Sequence, residues 1–179
     1  MVKKYIFQTN RLGIRNWQKS DFSTFIKMGQ DQRVMEYFPW LLSESQSIDF
    51  IKRMQVHFEK KGYAYLPIIL LENQEFMGMV GLLDQNYDNH LGMFTDIGWR
   101  LKPSAWGKGY ATEAAKAWLK YGFEKLKLKE IYSVVPVINT KSQNVMHKIG
   151  LKKIEKFGHP KIDKNHPTRM CYLFSKNNL

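Results

Sequence analysis

The sequence predicts an α/β fold of the α+β mixed-sheet kind, a single mixed sheet with helices on both faces. Three observations carry that reading. Two apolar runs, 63–71 and 76–83, flank Glu72-Asn-Gln-Glu75, the pattern of an antiparallel hairpin. From Phe94 onward, strand-like and helix-like segments alternate as strand, helix, strand, helix, strand. Finally, 179 residues with 44% hydrophobic and 14% aromatic content suit one domain over 1–179 with one core, and no repeat or linker interrupts the chain.

Taken in order, residues 11–16 (RLGIRN) are short and alternating, as in a first strand. Ser20 or Asp21 can cap a helix running to about Met28. Ser43-x-x-Gln46 has capping-box spacing, and the helix it opens carries Ile48, Ile51, Met54 and Phe58 on one face before stopping near Gly62. The hairpin follows, then a strand over 94–101. A long helix is predicted over about 107–127, with Ala111, Ala115, Trp118 and Gly122 on one stripe. Glu113, Lys116, Lys120, Glu124 and Lys127 fall opposite. Residues 131–137 are rich in β-branched side chains, as in a buried strand. Thr140-x-x-Gln143 opens a short helix ending at Gly150, and strands over 151–157 and 168–175 flank a polar loop, 158–167.

The formal net charge is +12, and its placement matters more than its size. Residues 1–99 balance 11 Lys/Arg against 11 Asp/Glu, whereas residues 100–179 hold 17 against 5. Such a surface suits a polyanion: nucleic acid, an acidic membrane face or a phosphorylated cofactor; a merely solubilising surface has the same composition. No apolar run approaches the ~20 residues a membrane-spanning helix needs. The start, Met1-Val-Lys-Lys-Tyr5, lacks the apolar stretch of a secretory signal, so a cytoplasmic location is expected. Cys171 is the single cysteine, which excludes an intramolecular disulfide. His57, His90, His147, His159 and His166 show no metal-ligand spacing, so no metal is expected.

The chemistry concentrates in Leu101-Lys-Pro-Ser-Ala-Trp-Gly-Lys-Gly-Tyr-Ala-Thr-Glu-Ala114. A strand ends, Pro103 stops its ladder, and Gly107 and Gly109 lead into a helix. The first turn of a helix leaves amides unpaired at the positive end of its dipole, so backbone alone can hold a phosphate there. A P-loop is excluded because Gly107-Lys108 is followed by Gly109. A dinucleotide fingerprint is excluded because Thr112 replaces its third glycine, and Val137, Ile138 and Asn139 stand where its acidic residue belongs. A pyrophosphate arm, Trp106-Gly-Lys-Gly109-Tyr-Ala111, remains, beside an ordinary glycine-rich turn.

Asp96-Ile-Gly-Trp-Arg-Leu-Lys-Pro-x-x-Trp-Gly-Lys-Gly-Tyr-Ala-Thr-Glu-Ala114 resembles the acetyl-CoA-binding segment of the GNAT acetyltransferases. It is similar in particular to the RimJ/RimL-type branch, which includes acetylases of ribosomal-protein N-termini. Asn139-Thr-Lys-Ser142 with Lys148-Ile-Gly-Leu151, Arg11-Leu-Gly-Ile-Arg15 and Asp31-x-x-Val34-Met-x-x-Phe38 extend the resemblance over most of the chain. It implies the GNAT fold, with about six or seven strands, mostly antiparallel around a central parallel, splayed pair.

It also implies acetyl-CoA as cofactor and an amine as acceptor. The amides of Gly107, Lys108, Gly109, Tyr110, Ala111 and Thr112 would hold the pyrophosphate, beside Trp106. Main-chain groups of Trp99, Arg100 and Leu101 would pair with the pantetheine arm like an added strand. The Leu101 amide, or a neighbour, would stabilise the oxyanion. Asn139 and Ser142 would border the pantetheine and the sulfur. A carboxylate on this strand commonly deprotonates the amine through water, which makes Asp96 the candidate base. The usual tyrosine acid is replaced by Met146, so Ser142 takes that role or the thiolate leaves unassisted. Direct transfer is expected rather than a relay through Cys171, whose apolar segment suits a buried thiol.

Tyr37, Phe38 and Trp40 with the 158–167 loop are candidates for the acceptor pocket, with Asp96 at its base. A polycationic acceptor would need acid there, and Glu36, Glu44, Asp84 and Asp96 are the candidates. The expected acceptors are a peptide or protein N-terminus, a polyamine, or another small amine. The excess basic charge allows a ribosomal or acidic protein partner, and the chain would be a monomer or homodimer. A basic nucleic-acid-binding module and a CoA-binding sensor without turnover are the competing classes; no helix-turn-helix, zinc-finger or RNP-like signature supports the former.

Overall fold

A computed structural model describes residues 4–87 and 92–178 of the chain. Residues 1–3 of the segment read for a secretory signal, and His90, lie outside the described residues. The strands are β1 (Phe7–Gln8), β2 (Leu12–Ile14), β3 (Tyr65–Leu70), β4 (Glu75–Tyr87), β5 (Gly92–Leu101), β6 (Glu130–Pro136), β7 (Lys152–Gly158) and β8 (Met170–Asn177). The helices are α1 (Lys19–Gln30), α2 (Gln32–Met35), α3 (Glu44–Lys61), α4 (Tyr110–Glu124) and α5 (Thr140–Lys148).

Among the described residues, eight strands form one sheet in the order β1-β2-β3-β4-β5-β6-β8-β7. Every neighbouring pair is antiparallel except β5 and β6, which are parallel. The mixed, mostly antiparallel sheet is therefore as predicted, with one strand more than expected. The addition is β1, whose two residues are too short to show any alternation. The four-residue α2 escapes periodicity for the same reason.

Local chemistry explains most boundaries. Gln18, not Ser20 or Asp21, is the N-cap of α1, and Asp21 is instead the third residue of the capping box. Asp21 accepts from the Gln18 amide at 2.8 Å and from both Arg15 guanidinium nitrogens at 2.7 Å, a buried bidentate pair. Ser43 and Gln46 close the expected box on α3, and Gly62 ends it at φ 79°. Ser43→Ala should cost about 1 kcal/mol, read as a lower urea midpoint with an unchanged slope. α4 starts at Tyr110 rather than 107, because Gly107 and Gly109 hold φ of 73° and 80°. It ends at Glu124, and Lys127 follows outside the helix at φ 58°. On α5 the cap is Asn139, whose side chain accepts from the Ser142 amide at 3.0 Å; Gln143 instead donates to the Val137 carbonyl at 2.9 Å.

Helices cover both faces. Leu82 pairs with Ile97 and points at α4, where a Cβ on Gly122 would come within 3.1 Å of it. Trp118, fully buried, packs its edge on Phe7 from the same side. On the other face the Arg100 guanidinium lies over Phe25 of α1 and Phe50 of α3. Asp96 shares that face, four residues back on β5.

Candidate active site

The site is built on the one parallel contact. β5 and β6 meet at a single registered pair, Asp96 with Tyr132, and diverge beyond it. Ser133 sits at the fork and donates its hydroxyl to the Ile97 carbonyl at 2.7 Å. On the other side of β5, Lys102 donates to the Met77 carbonyl. Antiparallel alternation then pairs Arg100 with Met79 on β4 and turns the amides and carbonyls of Trp99 and Leu101 toward the opening. Of the three residues assigned main-chain contacts, Arg100 gives its main chain to β4, Trp99 turns its main chain to the cleft, and Leu101 offers the cleft its amide, its carbonyl being taken by the Trp106 indole.

The cleft ends at the glycine turn. Its geometry is a backbone cradle: Gly107 and Gly109 both have positive φ, and a Cβ on Gly107 would meet nothing within 4 Å. The first amide of the segment to find a backbone acceptor is that of Glu113, which donates to Gly109 at 3.0 Å. Among the described residues, the amides of Gly107 to Thr112 are left for an anion. Trp106 fixes the turn, since its indole N–H donates to the Leu101 carbonyl at 2.9 Å. Arg11 approaches from β2, paired with Glu113 at 2.7 Å and lying 4.6 Å over the Tyr110 ring. Lys116 and Lys148 line a shallow groove across Gly109 and Thr112. That places part of the basic excess beside the cradle.

Asp96 lies at the root of the fork. Its carboxylate accepts from the Tyr65 hydroxyl at 2.5 Å, while the second oxygen is buried without a partner. Burial raises its pKa to about 7, against the lowering pull of the Tyr65 hydroxyl and the Val134 amide. Tyr65 itself is pushed well above its ordinary value by burial and by the neighbouring Asp96 charge. Gly98 makes this contact possible: a Cβ there would lie 3.0 Å from the Tyr65 ring and hydroxyl. Gly81 and Gly98, both without side chains, let the tyrosine cross β4 and lie over β5 to reach the acid.

One cavity of about 710 Å3 joins these parts. Asp96, Trp99, Arg100, Leu101, Trp106, Gly107, Gly109, Tyr110, Ala111, Thr112, Asn139, Ser142, Tyr37 and Phe38 all line it. Lys108 and Trp40 do not; Trp40 is 58% exposed, and the 158–167 loop does not reach the cavity either. The acidic quartet is not assembled: Glu36 and Asp96 line the cavity, whereas Asp84 is engaged by Lys61 and Tyr63 and Glu44 opens α3 elsewhere. Met146 is buried against the cavity, in the place implied for a tyrosine. Cys171 lies outside it, buried, with its thiol raised to about 11 by burial. Tyr65, Ser133 and Phe50 were missed in the sequence; the glycines at 81 and 98, unusual inside strands, were the available signal for Tyr65. Among the described residues no helix is long and apolar enough to cross a membrane, and no cluster of His, Cys, Asp and Glu could hold a metal.

Residues 11–152 match the family model of the acetyltransferase (GNAT) domain. The chain is 31% identical over 147 residues to the uncharacterized N-acetyltransferase YnaD of Bacillus subtilis (strain 168), covering 81% of each chain. Its structure is similar to that of a GNAT-family acetyltransferase from Bacillus anthracis, with TM-score 0.78 and 28% identity, over 96% of this chain and 97% of that one. It shares its fold with spermidine N-acetyltransferase from Vibrio cholerae, solved in complex with CoA and spermine, at TM-score 0.74 and 17% identity, over 95% and 97%.

Proposed function

The chain belongs to the acetyltransferase (GNAT) domain family and is an acyltransferase, and from that premise we propose that it transfers acetyl from acetyl-CoA directly to a primary amine. The observation that carries the cofactor is the run of unpartnered amides from Gly107 to Thr112, at the end of a cleft edged by Trp99 and Leu101. The donor set fits: backbone amides and nearby lysines suit a pyrophosphate and a further phosphate, and an open strand edge suits a pantetheine arm. When bound, the cofactor supplies an acetyl carbonyl activated as a thioester.

The chain's residues supply the rest. Asp96 takes the proton from the acceptor ammonium through water, since its short side chain stays close to β5. Burial sets its pKa near the amine's working range, so it is a carboxylate above about pH 7 and holds a proton below. The Leu101 amide, turned toward the cleft, donates to negative charge developing on the carbonyl oxygen. Asn139 holds Ser142 at the start of α5, where the Ser142 hydroxyl would donate to a leaving thiolate, Met146 having no proton to give. Cys171 takes no part.

Acceptors of this reading are small amines and peptide N-termini. The spermidine N-acetyltransferase similarity supports the first, and the RimJ/RimL-like motifs support the second. The direct test is CoA thiol release with acetyl-CoA and a panel of peptides, polyamines and amino compounds; binding of CoA with no thiol release from any amine would replace the enzyme with a sensor. A second test reads the base. Tyr65→Phe removes a hydroxyl that lowers the Asp96 pKa, so the acidic limb of kcat/KM against pH should move upward. An unmoved limb would detach Asp96 from the rate.

A further inference from the structure

We propose that the Arg100 guanidinium binds a carboxylate carried by the acceptor, so that the preferred acceptor is an amine with its own anionic group rather than a polycation. The inference rests on the acetyl-transfer reading and names the class of acceptor within it.

Arg100 is 9% exposed, and its Nε and Nη1 find no hydrogen-bond partner among the described residues. A buried cation with unfilled donors is costly unless a partner arrives. The described residues supply none. Of the acids lining the cavity, neither Asp96, one of whose oxygens accepts from Tyr65, nor Glu36 makes an ion pair with Arg100. The other arginine on the cavity wall, Arg33, is held by Asp31 at 2.6 Å.

What surrounds Arg100 is aromatic. Its guanidinium carbon lies 4.1 Å from the Phe38 centroid, 5.8 Å from Phe25 and 5.9 Å from Phe50. Rings hold the flat faces of a guanidinium but accept nothing from its in-plane N–H groups. The unfilled Nε–H and Nη1–H lie in the guanidinium plane on different edges, and a carboxylate is the ligand complementary to either edge, each edge being completed by Nη2. Burial pushes the guanidinium pKa down to about 10, which still leaves it charged at neutral pH.

Arg100 and Asp96 stand on one face of β5 and line one cavity. An acceptor whose amine lies near Asp96 and whose carboxylate lies on Arg100 would satisfy both, each group meeting its opposite charge. A polycation would bring like charge onto the buried guanidinium, and the acids needed to offset it are not gathered in this cavity.

The test uses matched acceptors, free L-amino acids and straight-chain ω-amino acids against their carboxamides, with spermidine alongside. Thiol release gives kcat/KM, and calorimetry in the presence of CoA gives binding without turnover. The carboxylate member of the best pair should be favoured at least about tenfold, the scale of one charge-assisted contact. Arg100→Gln should erase the preference through KM, and Arg100→Lys should restore only part of it. Equal use of acid and amide, a preference that survives Arg100→Gln, or spermidine as the best acceptor would overturn the proposal. If Arg100→Gln does not fold, the acid–amide comparison on the unaltered chain decides alone. Thiol release with amides but not acids would leave acetyl transfer standing and remove only Arg100. No release with any amine would remove acetyl transfer, and calorimetric preference would still decide the carboxylate site.

Discussion

Gly109→Glu should bind CoA at least about 100-fold more weakly than the unaltered chain, with its fold retained. The position is the N-cap of α4 at φ 80°, in the middle of six amides that have no acceptor among the described residues. A glutamate there places a carboxylate where the phosphates would sit. Losing two charge-assisted bonds at about 1.5 kcal/mol or more each gives roughly two decades in Kd, before any repulsion is counted. A left-handed conformation also strains any side chain by about 1–2 kcal/mol, so Gly109→Asn, which tolerates that region, separates strain from charge. Asn should retain most of the affinity and Glu almost none, measured by calorimetry on samples whose thermal midpoints match. Unchanged CoA affinity in the Glu variant would remove the cradle as the phosphate site.

That cradle was legible in the sequence because its signal is local. Gly107 and Gly109 are needed for positive φ within a few residues of a strand end, and the motif records this directly. The sheet was legible for a similar reason: alternation and capping boxes are short-range patterns, and Ser43–Gln46 marked α3 to the residue. What failed was of two kinds. β1 and α2 are shorter than one period of their own pattern, so nothing in them could repeat. Side-chain directions across the sheet were the second kind. That Tyr65 reaches Asp96 over Gly98 depends on registers set by strands far apart in sequence, Tyr65 opposite Gly81 and Gly81 opposite Gly98. Arg100 shows the same limit: its motif position suggested a main-chain role, while the structure gives its main chain to β4 and its side chain to the cavity. Trp40 illustrates the converse, an aromatic close in sequence to Tyr37 and Phe38 that turns outward.

Asp96→Asn should lower kcat/KM at neutral pH by about 100-fold and yet make the fold more stable at alkaline pH. General-base assistance contributes roughly 10²–10⁴-fold, and asparagine keeps the shape without the basicity. The loss should shrink as pH rises toward the acceptor's own pKa, because free amine then needs no base. Stability runs the other way. The folded pKa of Asp96, about 7, stands above its value in the unfolded chain, so the folded state binds this proton more tightly. The stability linked to that proton is fully present below the unfolded value and is lost as pH rises through about 7. Asparagine never ionises and keeps an acceptor for the Tyr65 hydroxyl, so its advantage should grow between pH 5 and pH 8. Urea titrations at the two pH values read this directly. A carboxylate serving only to brace the fork would lose stability on substitution and leave the pH–rate profile flat. Catalysis by a buried base demands opposite signs in the two measurements, because the desolvation that costs the fold its stability above pH 7 is what keeps the carboxylate basic enough to take the proton.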